Sequence, residues 1–305
     1  MGKIAFVFSG QGAQYPGMGR SLCARSKAAQ AVFSAADALR PGTQAQCFDA
    51  SEAELCETKN TQPCMFAVEL AAAAALEEAG IRADLAAGFS LGELAALTYA
   101  GAMSFETGFR LVCRRAEHMQ KAAETVSAAM AAVLKLSNDA VSALCAQFED
   151  VYPVNFNCPG QITVSAAAEQ MPAFLAAVKA AGGRAIPLKV RGGFHSPFMA
   201  EAATAFAADL AAAKLSAPAI PVYANRTAQP YGADVAGMLA GQIDHSVLWE
   251  DSVRAMIAAG ADTFLELGPG RTLCGLIAKT DASVRTFAAE RDEDFRKLTQ
   301  EVPPC

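Results

Sequence analysis

The sequence predicts an α/β fold: a large α/β-hydrolase-like domain built on a parallel sheet, with a smaller ferredoxin-like domain inserted into it. Three observations carry that prediction. The apolar run Ile4-Ala5-Phe6-Val7-Phe8 ends in Gly10-Gln11-Gly12, the pattern of a buried strand opening into a glycine-rich loop. Gly88-Phe89-Ser90-Leu91-Gly92 matches G-x-S-x-G between a short apolar run and the helix-forming Glu93-Leu94-Ala95-Ala96-Leu97. Between these features and the C-terminal third lies a stretch that reads βαββαβ by itself.

Taken in order, residues 4–8 give the first strand. Pro63 and Gly80 bracket a helix over 64–78, as start and stop residues do. A second buried strand follows at 84–89. The inserted unit then reads strand 130–136, helix 138–148 and strand 152–155, a Cys158-Pro159-Gly160 turn, strand 161–165, helix 169–181 and strand 184–190. Alternation resumes with a helix at 201–214, a strand at 221–224, a helix at 249–259 and a strand at 263–267. The expected division is 1–126 with 191–305 for the large domain and 127–190 for the small one. A cleft between two such domains is a favoured place for an active site.

Composition narrows the function classes. Of 305 residues, 53% are apolar and 18% charged, enough for a substantial core. The alanine-rich run 67–79 carries Glu69, Glu77 and Glu78, which suits a helix in water and not a membrane span. No cationic start precedes a long apolar run, so no export is expected. Nine cysteines without C-x-x-C spacing suit a reducing, cytoplasmic setting, and no paired metal ligands stand out. A net charge of −6 without a basic cluster argues against nucleic-acid binding.

The G-x-S-x-G context points to acyl chemistry. A serine on a sharp strand-to-helix turn needs glycine on both sides, and the N–H that follows it, at Leu91, faces a developing oxyanion near the helix N-terminus. The hydroxyl also needs a base. Only three histidines exist: His118, His195 and His245. His118 sits in a charged, helical-looking stretch and reads as a surface residue, and His245 reads as a turn or cap. His195 lies in the irregular loop Gly192-Gly193-Phe194-His195-Ser196-Pro197 after the inserted unit and leads, although spacing alone leaves the choice open.

These residues together resemble the malonyl-CoA:acyl-carrier-protein transacylases and the acyltransferase domains of fatty-acid and polyketide synthases. Phe8-Ser9-Gly10-Gln11-Gly12-Ala13-Gln14 is similar to the family's opening F-P-G-Q-G-[SA]-Q, and Gly88 to Glu93 to its G-H-S-x-G-E. Leu111-Val112 through Arg115 to Met119-Gln120 resembles its arginine helix, Asn157-Cys158-Pro159-Gly160-Gln161 its N-x-P-G-Q, and Phe194 to Met199 its F-H-S-x-x-M. Phe264 to Gly270 resembles its closing strand and turn.

The resemblance implies that Ser90 attacks a coenzyme A thioester, His195 takes its proton, and the N–H groups of Gln11 and Leu91 bind the oxyanion. It implies that Arg115 holds the malonyl carboxylate, that Phe194 crowds an α-methyl branch, and that a backbone carbonyl near Gln242 orients the histidine. The acyl group would pass to the phosphopantetheine thiol of acyl carrier protein. Coenzyme A thioester is then a substrate, no permanently bound cofactor or metal is implied, and a monomer is expected. Lys189 and Arg191 are the candidate contacts for an acidic carrier, and the rate should rise with pH as one group titrates near neutrality.

Three positions depart from the pattern. Phe89 stands where histidine is usual and removes any hydrogen bond made there. Ser9 replaces a proline and should loosen the loop before Gln11. Ser246 replaces a proline in the segment whose carbonyl orients His195. The rival readings are a serine esterase or thioesterase, a non-catalytic docking module, and a discrete acyltransferase serving a polyketide synthase.

Overall fold

The computed structural model describes residues 2–188, 190 and 192–302. Its strands, numbered in chain order, are β1 (Lys3–Phe8), β2 (Leu85–Gly88), β3 (Ala128–Leu134), β4 (Val151–Cys158), β5 (Gln161–Ala167), β6 (Arg184–Pro187), β7 (Val222–Tyr223), β8 (Ala261–Leu267) and β9 (Arg285–Ala289). Strands from both ends of the chain make a five-stranded sheet ordered β7-β2-β1-β8-β9, in which every pair is parallel.

A parallel sheet is covered on both faces, so its strands read as continuous apolar runs. In β1 the alternation of side chains still sorts the two faces. Phe6 and Phe8 pack with Phe66, Leu94 and Leu97 on one side, whereas Ala5 and Val7 meet Trp249, Val253 and Ile277 on the other. The register sets Phe8 level with Gly88 and with Leu267. The loops after β1, β2 and β8 therefore emerge together at the carboxyl edge, where open α/β sheets bind ligands.

The helix expected at 64–78 begins earlier, as Thr58–Glu78, with Pro63 inside it. Pro63, the sixth residue, has no N–H to reach back to Lys59 and its ring crowds that carbonyl, yet the helix runs on through it. Among the described residues no helix is long and apolar enough to cross a membrane.

The small unit has the order βαββαβ read from the sequence: β3, helix Asn138–Cys145, β4, β5, helix Met171–Ala180, β6. Its sheet is antiparallel, ordered β4-β5-β3-β6, and its own core gathers Val133, Val141, Ile162, Val164 and Phe174. The last strand stops at Pro187, short of the expected residue 190. The small sheet is tied through β4 to the loop before the helix Trp249–Ala258 by a short bridge. Val247 N–H donates to Val154 C=O (2.8 Å), Phe156 N–H donates to Val247 C=O (2.9 Å), and Ser246 Oγ donates to Pro153 C=O (2.8 Å).

Candidate active site

The turn after β2 is built by two glycines that tolerate no side chain. A Cβ on Gly88 would lie 1.9 Å from the Gly92 carbonyl carbon, and one on Gly92 would lie 2.4 Å from the Phe8 oxygen. The chain is thereby folded tightly enough to drive Ser90 to φ 55°, the left-handed region that non-glycine residues seldom occupy. Leu91 then opens the helix Gly92–Tyr99.

Ser90 Oγ lies 2.7 Å from His195 Nε2. The other ring nitrogen, Nδ1, lies 3.0 Å from the Gln242 carbonyl oxygen. That carbonyl can only accept, so Nδ1 carries the proton and Nε2 presents its lone pair to the serine hydroxyl. His195 is itself left-handed, φ 62°, and its N–H is tied to Ile243 C=O at 3.1 Å. Burial, reinforced by the charge of Arg115, lowers the imidazole from 6.5 to about 4, against the Gln242 and His245 carbonyls, which raise it. This corrects the expectation of a titration near neutrality: the ring is already neutral there and able to act as a base.

Arg115 comes from the helix Phe105–Thr125 and is wholly buried. Its Nη2 donates to Ser90 Oγ at 3.2 Å and to Gln242 Oε1 at 2.8 Å, and its Nη1 donates to Gln62 Oε1 at 2.7 Å. Burial lowers the guanidinium to about 10, with the Glu93 charge opposing, so it stays charged at neutral pH. Among the described residues no carboxylate forms a salt bridge with it; amide oxygens hold it, and Nε has no partner.

Behind the serine lies a polar cluster. The Gln242 amide nitrogen donates to Ser90 C=O (2.6 Å), Glu93 Oε2 (2.7 Å) and Asn225 Oδ1 (3.3 Å). Asn225 brackets the turn, accepting from Ser90 N–H at 2.8 Å and donating to Gly88 C=O at 2.6 Å. Glu93 is completely buried and accepts from Asn225 N–H (3.0 Å) and Tyr231 Oη (2.6 Å). Burial raises its carboxyl to about 7, although these donors and Arg115 pull it down. Gln62, Asn225 and Tyr231 were not singled out from the sequence, and Glu93 was read only as part of a helix and a motif.

The cavity over Ser90 is lined by Gln11, Leu91, Met119, Met130, Asn155 and Phe194 among others, so residues of the small sheet wall one side. Neither the Gln11 nor the Leu91 N–H donates to a protein acceptor among the described residues. His118 pairs with Asp209 at 2.6 Å and His245 with Asp244 at 2.7 Å, both away from the serine. Arg114 is half exposed and pairs with Glu117. Phe89 stacks edge-on against Trp249 with centroids 5.5 Å apart. Ser9 does not loosen its loop: both its N–H (3.1 Å) and its Oγ (3.0 Å) donate to Leu267 C=O. Ser246 likewise anchors its segment, through the bond to Pro153. Lys189 and Arg191 lie outside the described residues.

Comparison with known proteins agrees with this geometry. Residues 5–293 match the acyl transferase domain family. A malonyl CoA-acyl carrier protein transacylase from Bacillus subtilis is 36% identical, over 98% of this chain and 97% of its own. A polyketide biosynthesis malonyl CoA-acyl carrier protein transacylase from Bacillus velezensis is also 36% identical, over 90% of this chain and 95% of its own. Among solved structures, the malonyl CoA-acyl carrier protein transacylase from Clostridium perfringens superimposes with a TM-score of 0.95 at 30% identity, covering 98% of this chain and 97% of that one. With the family's domain matched almost end to end and relatives alike over nearly their whole length, the chain belongs to the acyl transferase domain family, among the malonyl CoA-acyl carrier protein transacylases.

Proposed function

We propose that this enzyme moves malonyl from malonyl-CoA to acyl carrier protein in fatty acid biosynthesis, through a malonyl ester on Ser90. The observation that carries the reading is the buried Arg115 guanidinium 3.2 Å from Ser90 Oγ. A malonyl carboxylate is only one methylene from the thioester carbonyl, so its receptor must sit beside the nucleophile. A guanidinium held by amide oxygens keeps its full charge for that carboxylate.

In the first half-reaction His195 Nε2 takes the hydroxyl proton as Ser90 attacks. The N–H groups of Gln11 and Leu91 stabilise the tetrahedral oxyanion, and the thiol of coenzyme A leaves with the proton from His195. In the second half His195 deprotonates the phosphopantetheine thiol, which attacks the ester, and His195 returns that proton to the departing Ser90 oxygen. Gln242 supports both halves, through its carbonyl on His195 and its side chain on Arg115, and Phe194 limits the acyl pocket. Division of the chain into 1–126 with 191–305 and 127–190, a monomeric state and cytoplasmic residence belong to the same reading.

Intact mass after brief mixing with malonyl-CoA tests it. The wild type should gain one malonyl group and release it to holo carrier protein, and Ser90→Ala should gain none while remaining folded. Label on Ser90→Ala would move the nucleophile elsewhere, and release of free malonate in place of malonyl-carrier would favour a hydrolase. The relative named for polyketide biosynthesis makes the carrier itself a variable. Fatty-acid and polyketide carriers, compared at equal concentration, separate the two.

A further inference from the structure

We propose that Glu93 is a positioning residue that fixes the orientation of the Gln242 side-chain amide and, through it, holds Arg115 ready for the substrate carboxylate. The two ends of a glutamine amide are nearly equal in size, so its partners decide which way it faces. The nitrogen of Gln242 meets only acceptors, namely Glu93 Oε2, Ser90 C=O and Asn225 Oδ1, and this leaves Oε1 to accept from Arg115. A flipped amide would set its oxygen against those three acceptors and its NH₂ against the guanidinium. Of the three, Glu93 is the one that carries charge, once pH rises above the value near 7 at which it ionises, and it is itself locked, since its other oxygen accepts from Tyr231 and from the Asn225 backbone. A buried carboxylate placed one amide away also balances the buried guanidinium without occupying it, leaving that cation open to substrate.

This rests on the assignment of Arg115 and Ser90 above. In Glu93→Gln the new amide can still accept from Tyr231 and Asn225, but only by turning its NH₂ toward that of Gln242. Donor then faces donor, and Gln242 must turn away. The rates of Ser90 acylation from malonyl-CoA and from acetyl-CoA, which has no carboxylate to place, read the effect. At about pH 8.5, where Glu93 is ionised, Glu93→Gln should lower malonyl kcat/KM by about 10- to 100-fold, the range for losing a charge-assisted hydrogen bond, and acetyl kcat/KM by less than about 3-fold. Gln242→Ala should narrow the same ratio, and the double variant should be no worse than the worse single one, because both act on one contact.

Equal loss on both substrates, or effects of Glu93→Gln and Gln242→Ala that multiply, would overturn the proposal. If Glu93→Gln does not fold, Tyr231→Phe removes one anchor of the carboxylate and should narrow the malonyl-to-acetyl ratio by about 3-fold; an unchanged ratio there overturns it as well. Arg115→Ala separates the two levels. If it leaves the ratio intact, the assignment of Arg115 fails; if it collapses the ratio while Glu93→Gln preserves it, only the role of Glu93 fails.

Discussion

Ser90 and His195 meet across left-handed backbone on both sides, at φ 55° and 62°, a conformation that costs each residue roughly 1–3 kcal/mol. Neighbouring glycines, the Asn225 clamp and the Gln242 carbonyl over-determine that geometry, so it persists. A base at about 4 gives a definite pH profile. Only neutral imidazole accepts the proton, and it is lost as pH falls through that value. Modification of Ser90 by an uncharged ester should therefore be flat from about pH 8 to pH 5.5 and fall to half near pH 4. Arg115→Ala is the sharper test at this scale. Removing one partner of a buried ion pair costs about 3–5 kcal/mol, so malonyl kcat/KM should drop by about 10²- to 5 × 10³-fold. Acetyl transfer strands no carboxylate and should be spared; equal loss on both substrates would make the arginine structural. Ser90, His195 and Arg115 were legible because each sits in a local pattern that shows its chemistry. Gln62, Asn225 and Tyr231 were not, because each is a lone polar side chain, one on the helix Thr58–Glu78 and two in the connection after β7, and only the folded sheet brings them to the serine.

At the scale of elements the strands were the readable part. Runs such as Ile4 to Phe8 have no alternative to burial, and the βαββαβ order of the small unit survived intact. Ends were less readable: Pro63 looks like a start and lies inside a helix, and β6 stops at Pro187. The same helix, Thr58–Glu78, holds Glu69 fully buried with neither carboxylate oxygen hydrogen-bonded. The glutamates of this run read as the mark of a helix in water and not a membrane span, but Glu69 is buried in the core. Burial raises the Glu69 carboxyl well above its ordinary 4.5. The sign follows from proton counting: above 4.5 the unfolded chain ionises this group while the folded chain keeps its proton, so stability declines as pH rises. Glu69→Gln should leave thermal stability near its wild-type value at about pH 4.5 and raise Tm by at least about 2 °C at about pH 8. Melting curves at the two pH values decide it. A gain of equal size at both would mean that the charge is not the cause.

For the whole molecule the active site is a seam. Loops at the carboxyl edge of the five-stranded sheet supply Gln11, Ser90 and Leu91, and the four-stranded sheet supplies Met130 and Asn155 to the opposite wall. A designer seeking a different acyl selectivity would exchange the small unit alone, cutting near residues 127 and 190. The bridge through Ser246 and Val247 makes that cut unsafe, because the strand receiving those bonds, β4, leaves with the graft. The stretch it steadies runs back to Gln242, whose carbonyl aims the imidazole. A transplanted unit with mismatched β4 should therefore slow Ser90 acylation for every acyl group, by about 10-fold or more if the imidazole loses its aim. Transplanting residues 242–248 with the unit should restore the rate and leave only the change in selectivity. Recombination in this architecture has a natural parcel, and it consists of two pieces of chain far apart in sequence.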